Sequence, residues 1–276
     1  MTNTTECTSQ QRLITLVLLA VLVMLWLPTM ATAHNLWLNA TDFNPTLSKR
    51  AGAHTKVYFG FGHRFPVQDF LDAEKLTEFS LIRPDHSRME LETGTGGFLA
   101  TALVLKKAGA YTVSAATKHG FYTMYIKGER VHHATTSMAG LESIILSLYF
   151  ENYTKALINV GETANDAYAN AVGHNIEIVA LENPYLKRVG DTLDVQVLFE
   201  GKPLPFCTLS ATYVGFDTKE AYAFSRKTNI EGIAKLRLLH HGQWILMAVV
   251  RQPAPENLKE QCLEMKYSAS LSFEVK

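Results

Sequence analysis

The chain of 276 residues holds three cysteines, and only Cys207 and Cys262 follow the N-terminal apolar run. Neither lies in the Cys-x-x-Cys spacing of a zinc or redox site. In an oxidising compartment the two predict a disulfide closing a loop of about 55 residues, adding about 3–4 kcal/mol. Two buried free thiols fit the sequence as well. Net charge is also missing: 26 basic residues balance 26 acidic ones. No bulk field therefore draws nucleic acid or an anionic membrane surface. Enzyme signatures are absent too. There is no Gly-x-Ser-x-Gly, no P-loop and no Gly-x-Gly-x-x-Gly opening a helix, and Gly94-Thr95-Gly96-Gly97 runs into a strand pattern. The expectation is a protein that is not an enzyme.

A long membrane-spanning run is lacking as well. The longest apolar stretch, residues 13–27, falls short of the roughly 18–20 residues that cross a bilayer, and Pro28 ends it. Arg12 precedes this run and Ala31-Thr32-Ala33 follows it, the small-x-small pattern that signal peptidase accepts. Residues 1–33 therefore read as a cleaved signal peptide. The mature chain is expected in the periplasm or outside the cell, with no transmembrane segment. Cys7 precedes the run, so it does not support lipid attachment.

What is present is mostly β patterning. From 34 to about 130, short aromatic and β-branched runs (56–61, 79–82, 98–105, 110–115, 121–126) alternate with Gly, Pro and Asn turns. Residues 137–160 break the pattern, because Leu141, Ile144, Ile145, Leu148, Tyr149 and Tyr153 recur at three- and four-residue steps and predict an amphipathic helix. The small, polar tract 162–173 reads as a linker. Seven further strand candidates fill residues 175–275, the count of an immunoglobulin-like sandwich. The expected fold is mainly β, with two β-sandwich-like domains over 34–172 and 173–276. The second is immunoglobulin-like, and one helical segment lies near 137–160.

Histidine is plentiful: all ten lie beyond residue 33. No His-x-His or His-Glu-x-x-His run occurs, so any metal site must assemble in three dimensions. Cleavage after Ala33 would leave His34 first, with a free α-amine and an imidazole on one residue. Together they close a six-membered chelate ring on ions that favour nitrogen-rich tetragonal geometry, copper and nickel. His63 follows Gly62 at the end of an aromatic strand, where glycine allows a sharp turn. His174 opens the second domain and His119 sits in an inter-strand turn, so both are further ligand candidates. The pairs His132-His133 and His240-His241 should diverge if they lie in strands, which disfavours a shared ion.

These residues resemble a family. Ala33-His34 with Trp37, Gly62-His63-Arg64-Phe65-Pro66, the run from Val197 to Leu204, Thr228-Asn229-Ile230-Glu231-Gly232 and Gly242-Gln243-Trp244 are similar to the NikM-like domain-of-unknown-function family. The closing strand 268–275 is similar too. The resemblance implies an exported accessory of nickel or cobalt uptake, acting beside a membrane transporter component, and it makes His34 and His63 the leading ligands. This chain lacks the spans of a permease. The reading is thus a periplasmic protein that binds nickel, with cobalt or copper as alternatives, and delivers it to a membrane cation transporter. Two other readings stay open: a copper-dependent histidine-brace oxygenase acting on polysaccharide, and an envelope or adhesion β-sandwich without metal.

Overall fold

The computed structural model describes residues 34–161, 166–217 and 221–276; the expected signal peptide lies outside them. In chain order the strands are β1 (Asn35–Ala40), β2 (Ala53–Gly62), β3 (Leu76–Ile82), β4 (Arg88–Glu90), β5 (Thr101–Leu105), β6 (Gly109–Thr117), β7 (Gly120–Lys127), β8 (Arg130–Ala134) and β9 (Ile144–Val160). They continue with β10 (Ile176–Ala180), β11 (Thr192–Phe199), β12 (Lys202–Pro203), β13 (Thr208–Tyr213), β14 (Phe224–Lys227), β15 (Ile233–Arg237), β16 (Gly242–Pro253) and β17 (Glu264–Val275). Helix among the described residues is confined to short 3₁₀ turns, and none is long and apolar enough to cross a membrane.

A central ten-stranded sheet runs β14-β13-β16-β17-β9-β6-β3-β4, with the β7–β8 hairpin attached to the first half of β9. A three-stranded sheet, β1-β2-β5, supplies a second layer, and β10, β11, β12 and β15 form a third. Period-two alternation decides which core each side chain enters. On β9, Ala156, Ile158 and Val160 join a core with Leu36, Leu38, Phe59 and Leu103 of the three-stranded sheet. Tyr153 and Leu157, on the opposite face, join a core with Ile176, Val195 and Leu236 of the third layer. The molecule is therefore mainly β and built of packed sandwiches. In the second half, β10, β11 and β15 face β14, β13, β16 and β17, the strand distribution of an immunoglobulin-type sandwich. Residues 34–276 form one compact unit, in which Ala116, Tyr153 and Leu157 of the first half also pack in the core of the second. The two halves also share a sheet, because β17 pairs parallel to β9 from Glu264↔Leu148 to Ser272↔Ala156.

The helix expected over 137–160 is corrected: Ile144–Val160 is a 17-residue strand. Its second half is buried at every position because layers cover both faces. The spacing that imitates a helix lies mainly in the first half, Ile144 to Tyr149, where burial is irregular and shows no clean alternation. The disulfide alternative is settled as well. Cys207 and Cys262 are free, buried thiols belonging to different apolar clusters. Burial raises both thiols above their ordinary value, Cys207 to about 11.

Two buried lysines show what joins the layers. Lys155 of β9 donates to Glu177 of β10 at 2.9 Å, and both side chains are almost fully enclosed. Glu177 also accepts the backbone N–H groups of Val172, Gly173 and His174. Burial alone would raise its pKa, but the Lys155 charge and these amides hold the carboxyl below the usual range. Removing the carboxylate would leave a buried cation without its partner. Glu177→Ala is expected to lose about 3–5 kcal/mol in urea unfolding. Adding Lys155→Met should recover only part of that loss, because three amides stay unmet.

On the other face, Lys266 of β17 is 2% exposed and its Nζ lies 3.3 Å from Asn35 Oδ1. Burial, with the neighbouring Arg251 charge, pulls this amine from 10.5 down to about 7. Between those values the unfolded chain holds a proton that the folded chain has released, so stability rises with pH there. Urea unfolding between pH 7 and 10 should show that rise in the unsubstituted protein and a flatter profile in Lys266→Met. Equal slopes would refute the assignment.

Candidate functional site

β1 is the edge strand of its sheet yet buried at all six positions. One edge pairs with β2. The polar groups of the other edge are met by side chains of the central sheet. Thr154 Oγ1 accepts from Leu38 N at 3.1 Å, and Ser270 Oγ donates to Leu36 O at 2.7 Å. Gln243 Nε2 reaches Asn39 Oδ1 at 2.6 Å. Trp37 packs with Ile245 and Met247. The start of the described chain is therefore held on both sides and from below.

That anchoring brings two histidines together. The β1–β2 register ends at Asn35↔Gly62, so one step further His34 stands opposite His63. Their ring centroids are 4.9 Å apart, with planes crossing at 80°. The ring of Phe61 meets His34 edge-on at 4.9 Å, and both histidines are half-buried. An ion about 2.0–2.1 Å from a ring nitrogen lies roughly 3 Å from the ring centroid, so one ion is within reach of both rings. An imidazole lone pair also lies in the ring plane. Planes crossing near a right angle share a line on which both lone pairs can meet one ion.

The other histidines differ on these criteria. His240 and His241 do not diverge as a strand would require. They sit in a bend with rings stacked at 4.5 Å and 20°, and near-parallel planes at that separation offer no common point for an ion. His132 stacks on Tyr125, while His133 Nδ1 lies 2.5 Å from the Tyr122 hydroxyl.

His174 and His119 flank Tyr153 in a separate network, in which His174 is buried and His119 exposed. His174 Nε2 lies 3.1 Å from Glu78 Oε1, and its ring stacks on Tyr153 at 4.7 Å. His119 Nδ1 is 3.5 Å from Glu151 Oε1, and its Nε2 is 3.4 Å from the Tyr153 hydroxyl. Tyr153 donates to Glu151 Oε2 at 2.6 Å. Burial, then that carboxylate, raises the phenol well above its ordinary range. Burial would raise Glu78 as well, but His174, Ser114 and Arg88 outweigh it and hold the carboxyl low. The structure does not bring His119 or His174 to His34 and His63. Among the described residues no group of three or more His, Cys, Asp and Glu is placed to hold a metal. The donors that fit an ion are therefore the two imidazoles, with the His34 amine as third nitrogen if the chain is cut after Ala33.

Of the residues that shape the loop carrying His63, Trp37, Phe65 and Pro66 stand in the quoted motifs without an assigned role, and Asn39 and Gln68 were not singled out. Phe65-Pro66 is a cis peptide. The Pro66 carbonyl accepts from Trp37 Nε1 at 2.7 Å and from Asn39 Nδ2 at 3.0 Å. Gln68 Oε1 accepts the His63 and Arg64 N–H groups. No local pattern announces these contacts, since each depends on a strand-to-loop pairing nearly thirty residues apart or on an isolated glutamine.

Comparison with solved structures adds similarity at the level of outline. The D0-D1 domain of Intimin is 15% identical, with 87% of this chain and 98% of that chain covered, at a TM-score of 0.22. A Salmonella alpha-2-macroglobulin mutant is 9% identical, with 88% of this chain and 15% of that chain covered, at a TM-score of 0.25. An Escherichia coli alpha-2-macroglobulin activated by porcine elastase is 7% identical, covered over 88% and 20%, at 0.23. At these scores none bears on the site. No curated protein matches the sequence. A family model does match, over residues 31–252, and with it both histidines of the pair: the chain belongs to the domain-of-unknown-function family DUF4198.

Proposed function

We propose that the mature chain, exported and cut after Ala33, binds a divalent transition ion through the His34 amine, the His34 imidazole and the His63 imidazole. The ion is cargo. Nickel is the first choice for an all-nitrogen set of this kind, with cobalt or copper as alternatives. The observation that supports the reading is the pairing of His34 with His63 at 4.9 Å and 80°. Crossed ring planes at that separation leave room for an ion in the plane of both imidazoles, and no other histidine pair described above has them.

Three nitrogen donors leave coordination positions open, which suits capture and release better than permanent storage. The receiver in this reading is a component of a membrane cation transporter, and the role is binding and delivery without catalysis. The half-exposed rings keep the ion reachable from solvent. The buried β1 beneath them keeps the donors from spreading when the ion leaves.

The test is calorimetric titration of Ni(II), with Co(II) and Cu(II) in parallel, into protein that begins at His34. Three variants accompany it: one extra residue ahead of His34, His34→Ala and His63→Ala. Loss of an outer-shell partner costs about 10–100-fold in metal affinity, so loss of a direct ligand should cost more. Each variant should therefore bind far more weakly than the parent. Equal affinity with the added residue would remove the amine from the site. Absence of saturable binding in the parent would overturn the reading altogether.

A further inference from the structure

We infer that Gln68 is the positioning residue of the histidine pair, fixing His63 without touching the ion; this rests on the metal-binding reading above. The loop after β2 is held at three places. At its far end, Asp69 N donates to Phe61 O at 3.0 Å. In the middle, the Pro66 carbonyl takes the Trp37 and Asn39 donors. At its beginning, Gln68 Oε1 accepts from His63 N at 2.6 Å and from Arg64 N at 2.9 Å. The first two fasten the loop to β1 and β2. Of the three, the last alone acts on the backbone of the histidine.

A carboxamide oxygen has two lone pairs, so one glutamine serves two consecutive amides. Doing so aligns both N–H groups on one point and fixes the peptide that carries the His63 side chain. The residue before it makes the approach possible. Gly62 has φ +131°, a left-handed-side conformation, and a Cβ there would fall 2.7 Å from Gln68 Oε1. Gly62 and Gln68 are thus two parts of one device: an absent side chain leaves room for the oxygen that orients the next residue. Gln68 is itself exposed and has no packing duty in the cores. Without it, the two amides would turn to water and the peptide that carries the His63 side chain would lose this hold. Two ligands that must be ordered on binding hold an ion less tightly than two already in place.

The inference is tested on protein that begins at His34, titrated with Ni(II) and Cu(II) and followed by calorimetry and by the electron paramagnetic resonance of the copper form. Gln68→Ala removes the acceptor, and Gln68→Glu keeps an acceptor oxygen in its place. Gln68→Ala should bind about tenfold more weakly, the scale of an outer-shell loss, with a changed copper spectrum. Gln68→Glu should bind at least as tightly as the parent, with the parent's spectrum. If Gln68→Ala matches the parent in affinity and spectrum, Gln68 does not position the site and the metal reading stands. If both variants weaken alike, the acceptor role is overturned. If the parent itself binds no ion, the reading beneath falls first. Amide hydrogen exchange in the unsubstituted, metal-free protein provides a check that needs no variant. The His63 and Arg64 N–H groups should exchange more slowly than the exposed loop amides around them, and equal rates would overturn the proposal.

Discussion

The outer edge of β1 is the constraint on which the site depends. A buried edge strand carries backbone donors and acceptors that must find partners away from water. Here they find side chains in place of another strand: Thr154 for Leu38 N, and Ser270 for Leu36 O. Those two side chains also bond each other at 2.8 Å. This accounts for Ser270, one of three buried serines of β17 with Ser268 and Ser272, and the one that bonds β1. An apolar face there would pack well but would strand the edge of β1. Ser270 gives up apolar burial to meet that edge, while Ser268 donates to Asn152 Oδ1 of β9 and Ser272 Oγ finds no hydrogen-bond partner among the described residues.

From that anchoring the geometry of the pair follows. An antiparallel register, once set at Leu36↔Phe61 and Asn35↔Gly62, carries its next members into apposition without any further contact. His34 and His63 are those members. Their proximity is therefore a property of the ladder and not of attraction between two imidazoles. Rings set at 80° do not stack on one another. The contrast with His174 and His119 is instructive. Both engage a carboxylate and the phenol ring system of Tyr153, so their nitrogens are committed to joining layers.

Much of the fold was legible in the residues. Strands that bury one face, such as β5, β11 and β15, alternate along their length, and the sequence shows that alternation directly. Seven of the eight strands of the second half were legible for the same reason, the two-residue β12 being the exception. β9 was not, because the signal for a strand is contrast between two faces. The second half of β9, covered on both sides, has none, and in its irregularly buried first half the spacings of Ile144, Ile145, Leu148 and Tyr149 mimic a helix. The sharing of one sheet by both halves was invisible for a related reason. Parallel pairing of β9 with β17 joins residues more than a hundred positions apart and leaves no local mark.

The site divides in the same way. His34 was legible through the processing signal before it, and His63 through the glycine that precedes it. Their union required the β1–β2 register, which a connection of a dozen residues between the strands conceals. Gln68 was illegible altogether, for its role consists of one oxygen reaching back to two amides. Such positioning groups leave no pattern because they act on backbone, which every residue shares. It follows that two chains of this fold could share His34 and His63 and yet differ in how firmly they present them. The difference would lie in the glycine before the second histidine and in the acceptor that its absent side chain admits. A rigid strand beneath and a single clamped turn beside it divide the work. The strand fixes where the two rings stand, and the turn fixes which way one of them faces.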